Sequence, residues 1–173
     1  MFGMYVIRCF SLKTAEYLYD VEVQMKIIVD ADACPVKNII KQTAIKYNIP
    51  VIMVCDTSHI INDDYCKVIT VDKFADSADI YLINLAEKGD LVITQDYGVA
   101  ALAIGKKAYA ISNNGMEYND DNMDKLLFER FLGKKSRRAG MKTKGPAKRT
   151  EEDNSNFLVG LCKILDGMGI DNK

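Results

Sequence analysis

Short apolar runs rich in β-branched residues alternate along most of this chain with stretches whose apolar positions recur every three or four residues. The first run, Lys26 to Val29, predicts a short strand buried on both faces. Val36, Ile39, Ile40, Thr43, Ala44 and Tyr47 then fall with the one-sided spacing of an amphipathic helix. Pro35 suits the first turn of that helix, because its φ is fixed and it has no N–H to satisfy. Val51 to Cys55 and Lys67 to Val71 predict two more strands. A helix over 80–86 follows, with Asp76 as its N-cap and Gly89 and Asp90 as its stop. Leu91 to Thr94 predicts a fourth strand, Val99 to Ile104 a short Ala-rich helix, and Lys107 to Ile111 a fifth strand. This alternation predicts one three-layer α/β domain, with a mainly parallel sheet and helices on both faces.

Beyond Gly115 the pattern changes. Met123, Leu126, Leu127 and Phe131 predict the inner stripe of another helix. Between positions 134 and 149 lie eight basic residues and no acid: Lys134, Lys135, Arg137, Arg138, Lys142, Lys144, Lys148 and Arg149. That segment reads as a basic tether between two docked helices. Thr150 can cap the last helix with Asp153 at the capping-box position, and Phe157, Leu158, Leu161 and Leu165 form its inner stripe. At the other end, residues 1–24 read equally well as a genuine extension or as upstream reading frame. Met25 is a natural start, and no small-residue cleavage pattern marks a signal peptide. The domain proper is then 25–173.

Composition narrows the class. A chain of 173 residues with 49% hydrophobic content suits one domain with a proper core. No run approaches the length of a membrane span. The net charge of −1 argues against a general binder of acidic partners, so the basic segment is a local excess. Five cysteines, odd in number and without a C-x-x-C pair, argue against a disulfide framework or a zinc knuckle and for a reducing, cytoplasmic setting. With His59 the only histidine, a His-based metal site is disfavoured.

The candidate chemistry lies in carboxylates. Asp30 and Asp32 close the first strand, Asp76 and Asp79 open the helix after the third, and Asp96 follows the fourth. In a parallel sheet all five gather on the carboxyl edge, where ligands bind in open α/β folds. Each has an ordinary explanation: Asp76 and Asp79 favour a helix N-terminus, Asp32 can cap the first helix, and Asp96 can sit in a turn. Together they need more, because two carboxylates about 4 Å apart repel by roughly 4 kcal/mol at an effective dielectric near 20. A proton on one acid or a bound cation must offset that. An all-oxygen site fits Mg²⁺ or Mn²⁺, and such an ion serves phosphodiester hydrolysis by lowering the pKa of a bound water and holding phosphate oxygens. Thr94 can orient a water or a carboxylate, or be a plain strand residue.

The run DADACPVK (Asp30 to Lys37), the D-x-A-D of Asp76 to Asp79, GDLVITQD (Gly89 to Asp96) and Gly145-Pro146 before a final helix with Phe157 resemble the YaiI/YqxD family of bacterial proteins. The resemblance runs from about Met25 to Leu165. That family is in turn similar to the PIN-like nuclease fold. The resemblance implies that Asp30, Asp79 and Asp96 are metal ligands assisted by Asp32 and Asp76, and that Thr94 belongs to a T-x-D pattern. The expected activity is Mg²⁺- or Mn²⁺-dependent cleavage of single-stranded RNA, with RNA against DNA left open. Two positions depart from it: no glutamate stands in the site, and Lys144 precedes Gly145-Pro146 where the family has a second glycine. A rival reading takes Asp30 and Asp32 as the D-x-D of a phosphatase of haloacid dehalogenase type, although Ala33 stands where those enzymes place Thr or Val. Another is a non-catalytic RNA-binding protein that uses the basic segment alone. Cys34 is either a reactive thiol or a small buried residue. Phosphates entering an acidic cavity need cations nearby, so the basic segment is expected to fold over the carboxyl edge. A homo-oligomer is left open.

Overall fold

The structure, a computed structural model, describes residues 25–32, 34–58, 61–72, 77–139 and 148–170, with Ser77 and Arg137 described by their backbone alone. The expectations for residues 1–24, Ala33, His59, Asp76, Lys142, Lys144 and Gly145-Pro146 lie outside these residues.

β1 (Ile27–Asp30) is flanked on one side by β2 (Val51–Asp56) and β3 (Lys67–Val71), and on the other by β4 (Leu91–Ile93) and β5 (Tyr109–Ile111), all parallel. The order is β3-β2-β1-β4-β5-β6, where β6 (Glu117–Tyr118) pairs antiparallel with β5. Ile27, Ile28 and Val29 have no exposed surface, and alternate side chains serve opposite faces. On one face Ile27, Val29, Leu91 and Ile93 pack with Ile40 and Ala44 of α1 (Lys37–Tyr47) and with Phe157, Leu161 and Leu165 of α5 (Glu151–Gly167). On the other, Ile28, Val92 and Ala110 pack with Leu82 of α2 (Ser77–Leu85), Val99 and Ala103 of α3 (Tyr97–Gly105), and Met123 of α4 (Asp120–Arg138). The three predicted layers are therefore present. Each fully buried Ile, Leu or Phe contributes about 1.5–3 kcal/mol.

The chain lays β2 and β3 on one side of β1 and returns to place β4 on the other. Connections from β1 and β4 leave in opposite directions, which opens a crevice above their carboxyl ends. At the amino ends, Asp90 fixes the register of this central pair. Its buried carboxylate accepts the N–H groups of Lys26 (3.0 Å) and Glu87 (2.8 Å) and pairs with Lys26 Nζ (2.8 Å).

Thr150 and Asp153 form the capping box predicted for the last helix. Other details differ. Asp32 does not cap α1, whose N-cap position is Val36 with no side-chain bond. In α5, Ile164 takes an inner position while Leu158 is exposed. α4 continues through Arg138, so Lys134, Lys135, Arg137 and Arg138 are helical and do not belong to a tether. Phe131 is 60% exposed and Leu127 37%, because α4 faces the protein with Met123, Leu126 and Arg130. Among the described residues Cys34, Cys55, Cys66 and Cys162 are free thiols, and no helix is long and apolar enough to cross a membrane.

Candidate active site at the carboxyl edge

Asp30 ends β1 and Thr94 follows β4, so the crevice between the central strands brings them together. The fully buried Thr94 is more than a β-branched strand residue. Its hydroxyl donates to Asp30 Oδ2 (3.0 Å), and the Thr94 hydroxyl oxygen in turn accepts the N–H of Asp96 (3.0 Å). Tyr118 of β6 braces this row from behind, its O–H donating to the Thr94 carbonyl (3.4 Å).

Asp96 caps α3. Its Oδ1 accepts the N–H groups of Gly98 (2.6 Å) and Val99 (3.3 Å), where the helix dipole favours negative charge. From α4, Arg130 meets it bidentately, with Nη1 to Oδ1 at 2.8 Å and Nη2 to Oδ2 at 2.7 Å. Gly98 leaves room for this pair, since a Cβ there would stand 2.9 Å from Asp96 Oδ1. Asp79 lies in the first turn of α2. With Asp96 it forms the acidic end of a groove of about 720 Å³ walled by Ile80, Ile83, Leu102 and Leu127. Asp32 accepts the Asp56 N–H at 2.9 and 3.2 Å, tying the loop after β1 to the end of β2. Lys37 Nζ donates to the Ala31 carbonyl (2.5 Å) and braces the same loop.

The predicted repulsion between carboxylates is thus met in two ways. Arg130 neutralises Asp96 and, with the α3 amides, holds its carboxyl below the usual range. Asp30 goes the other way: burial first, then the nearby charges of Asp32 and Asp96, raise its pKa against the Thr94 bond. Of the two acids in the row, Asp30 is the one whose pKa its surroundings raise. The buried Cys34 thiol is pushed up to about 11 by burial, which suits a small core residue and opposes a reactive thiolate.

The opposed shifts have opposite consequences for stability. For Asp96, stabilisation is present above the ordinary carboxylate pKa near 4 and is lost as pH falls through the lowered folded value. For Asp30, the native state binds more proton than the unfolded chain, so stability declines as pH rises from about 4 through the raised value. Asp30→Asn removes that decline. Its melting temperature should rise relative to wild type as pH increases from about 4, and a difference independent of pH would refute the raised pKa of Asp30.

Four of the five predicted acids, Asp30, Asp32, Asp79 and Asp96, lie on this edge, and the fifth, Asp76, lies outside the described residues. Their hard oxygens suit Mg²⁺ or Mn²⁺ in donor chemistry. As they stand, however, no group of three or more His, Cys, Asp or Glu among the described residues could hold a metal ion, and Arg130 covers Asp96. Of the predicted cationic set, Lys134, Lys135, Arg138 and Lys148 are exposed. Arg149 is engaged inside the protein, where its guanidinium donates to the Asn113 carbonyl (2.8 Å), the Asp153 carbonyl (3.1 Å), Asn154 Oδ1 (2.7 Å) and Asn114 Oδ1 (3.2 Å). It fastens the start of α5 to the turn between β5 and β6.

Fold and site together define an α/β protein with a hydrogen-bonded acidic row, Asp30-Thr94-Asp96, at the reversal point of a parallel sheet. The chain belongs to the YaiI/YqxD family: the model described as "Uncharacterized BCR, YaiI/YqxD family" matches residues 28–167. A UPF0178 protein of Ruminiclostridium cellulolyticum is 59% identical over 141 residues, covering 82% of this chain and 92% of that protein. Those of Clostridium acetobutylicum and Clostridium novyi are 53% and 50% identical, each over 82% of this chain and over 97% and 95% of their own lengths. No solved structure matches the chain significantly.

Proposed function

We propose that the carboxyl edge is the active site of a divalent-metal-dependent hydrolase that cleaves phosphodiester bonds in RNA in the cytoplasm, a PIN-like nuclease. The observation that supports it best is the bridge from Asp30 through Thr94 to Asp96, placed where the connections from β1 and β4 diverge. Asp30, Asp79 and Asp96 are the carboxylates that would hold Mg²⁺ or Mn²⁺, with Asp32 on the same edge. When bound, the ion supplies a water of lowered pKa and positive charge against the phosphate.

The chain's own groups do the rest. Thr94 fixes the Asp30 carboxylate, and Asp30, with its raised pKa, holds or accepts a proton at Oδ1 or Oδ2. Arg130 is the counter-ion of Asp96, and a cation held by Asp96 would compete with it and leave the guanidinium available to phosphate. Lys134 and Lys148 offer exposed positive charge to the phosphate backbone. The phosphatase reading is weaker, because both carboxylate oxygens of Asp32 accept the Asp56 N–H and tie the loop after β1 to β2. The free thiols agree with a reducing compartment.

The test is incubation of purified protein with end-labelled single-stranded RNA and Mn²⁺ or Mg²⁺. Cleavage that stops on adding EDTA is expected. Cleavage that survives EDTA contradicts the proposal, and binding without cleavage points to the non-catalytic RNA-binding reading.

A further inference from the structure

α4 carries a second pattern, on the side turned away from the protein. Asp121, Asp124, Phe128, Phe131, Lys135 and Arg138 are spaced alternately by three and four residues, which places them in one stripe along the helix. All six are exposed, and Phe128 and Phe131 are 61% and 60% exposed. Met123, Leu126 and Arg130 occupy the opposite side and face the sheet and Asp96. Two phenylalanines at this spacing on a helix surface form an apolar centre left uncovered among the described residues and widened by the partly exposed Leu127 and Leu132.

The order along the stripe identifies what covers it. From one end to the other it reads acid, acid, Phe, Phe, base, base. We propose that the partner is a second copy of this chain, with the two α4 helices packed antiparallel about a twofold axis between Phe128 and Phe131. That arrangement sets Asp121 against Arg138 of the partner subunit, Asp124 against Lys135 of the partner subunit, and Phe128 against the partner's Phe131. The same contacts recur on the other side of the axis, as a self-complementary twofold interface requires. A parallel pair in register would bring like charges together and is disfavoured. A nucleic acid is a poorer occupant, because Asp121 and Asp124 on the same stripe repel phosphate. The 19-residue helix is about 28 Å long, enough for both charged ends and the apolar centre to engage at once.

Sedimentation velocity of the full chain, between about 1 and 100 µM so as to bracket a micromolar Kd, tests this. The expected species at the upper end has twice the 19.4 kDa chain mass. Phe128→Glu with Phe131→Glu should leave a folded monomer by circular dichroism. If that variant fails to fold, reversals at the exposed ends serve instead. Asp121→Lys with Asp124→Lys should weaken association at least about a hundredfold, since like charges then face each other across the axis. Lys135→Glu with Arg138→Glu should do the same, and all four reversals in one chain should restore the dimer. A wild-type chain monomeric throughout, or a dimer indifferent to reversal at one end, overturns the proposal. So does a monomer whose affinity for single-stranded RNA falls on Phe128→Ala and Phe131→Ala, which would make the stripe a platform for bases.

Discussion

Asp30→Asn is expected to lower metal-dependent RNA cleavage by about 10²–10⁴-fold, the range for loss of a positioned proton-transfer group, while the protein stays folded. The amide oxygen of asparagine can still accept the Thr94 hydroxyl, so the bridge keeps its geometry. What disappears is the ionisable group whose pKa burial and the neighbouring charges raise. Asp96→Asn should be similarly inactive for a different reason. Asn caps a helix about as well as Asp, so the bonds from Gly98 and Val99 persist, but the charge that answers Arg130 or a metal ion is gone. Asp32→Asn is the contrast: its oxygen can still accept the Asp56 N–H, and activity within about tenfold of wild type is expected for a residue that acts mainly through structure. Single-turnover rates on one RNA substrate, measured for all three variants, check the ranking. Full activity in Asp30→Asn would remove Asp30 from the mechanism.

Gly160→Ala should cost about 3 kcal/mol of stability, at the upper end of what an overpacked core contact causes. α5 lies backbone to backbone on the turn between β5 and β6. A Cβ at Gly160 would fall well inside contact distance of the Gly115 carbonyl oxygen and 2.9 Å from the Gly115 Cα. Neither partner can move aside as a flexible side chain would. Gly115 is itself held at φ +84, a left-handed conformation, with its N–H bonded to the Ser112 carbonyl (3.0 Å). Lifting α5 from the turn would also draw Phe157, Leu161 and Leu165, all fully buried, out of the core. Gly167→Ala is the control, because a Cβ there meets nothing within 4 Å. Urea unfolding should show a large loss for Gly160→Ala and none for Gly167→Ala. Equal stabilities would mean that the close approach carries no weight.

The parallel strands were legible because their β-branched runs are continuous, and burial on both faces leaves no reason for polar interruptions. α1 was legible from its one-sided spacing, confirmed by buried Ile40, Thr43, Ala44 and Tyr47. β6 was not, since Glu117 and Tyr118 are too few for any period to show and their pairing depends on the turn at Gly115. α4 was misread by one face. Its apolar residues occur on both sides, and hydrophobicity alone assigned Phe131 inward, whereas Arg130 is the residue that reaches the core edge. The overlooked signal was that Arg130 continues the three- and four-residue spacing of Met123 and Leu126. Arg149 was read as part of a charged linker because a local run of basic residues says nothing of carbonyls 36 residues away in sequence, such as that of Asn113. Asp30, Asp79 and Asp96 were legible as acids at strand ends and helix starts. The fact that Arg130 neutralises Asp96 is a tertiary property that strand and helix periods do not carry.

Calorimetric titration of Mn²⁺ into wild type, Asp30→Asn and Arg130→Gln tests the acidic row most directly. Wild type should bind saturably and Asp30→Asn should not. Arg130→Gln should bind about fivefold more tightly, since a partly exposed ion pair worth about 1 kcal/mol no longer competes for Asp96. Absence of saturable binding in wild type, or binding unaltered in Asp30→Asn, would contradict the assignment of this edge as a metal-dependent site.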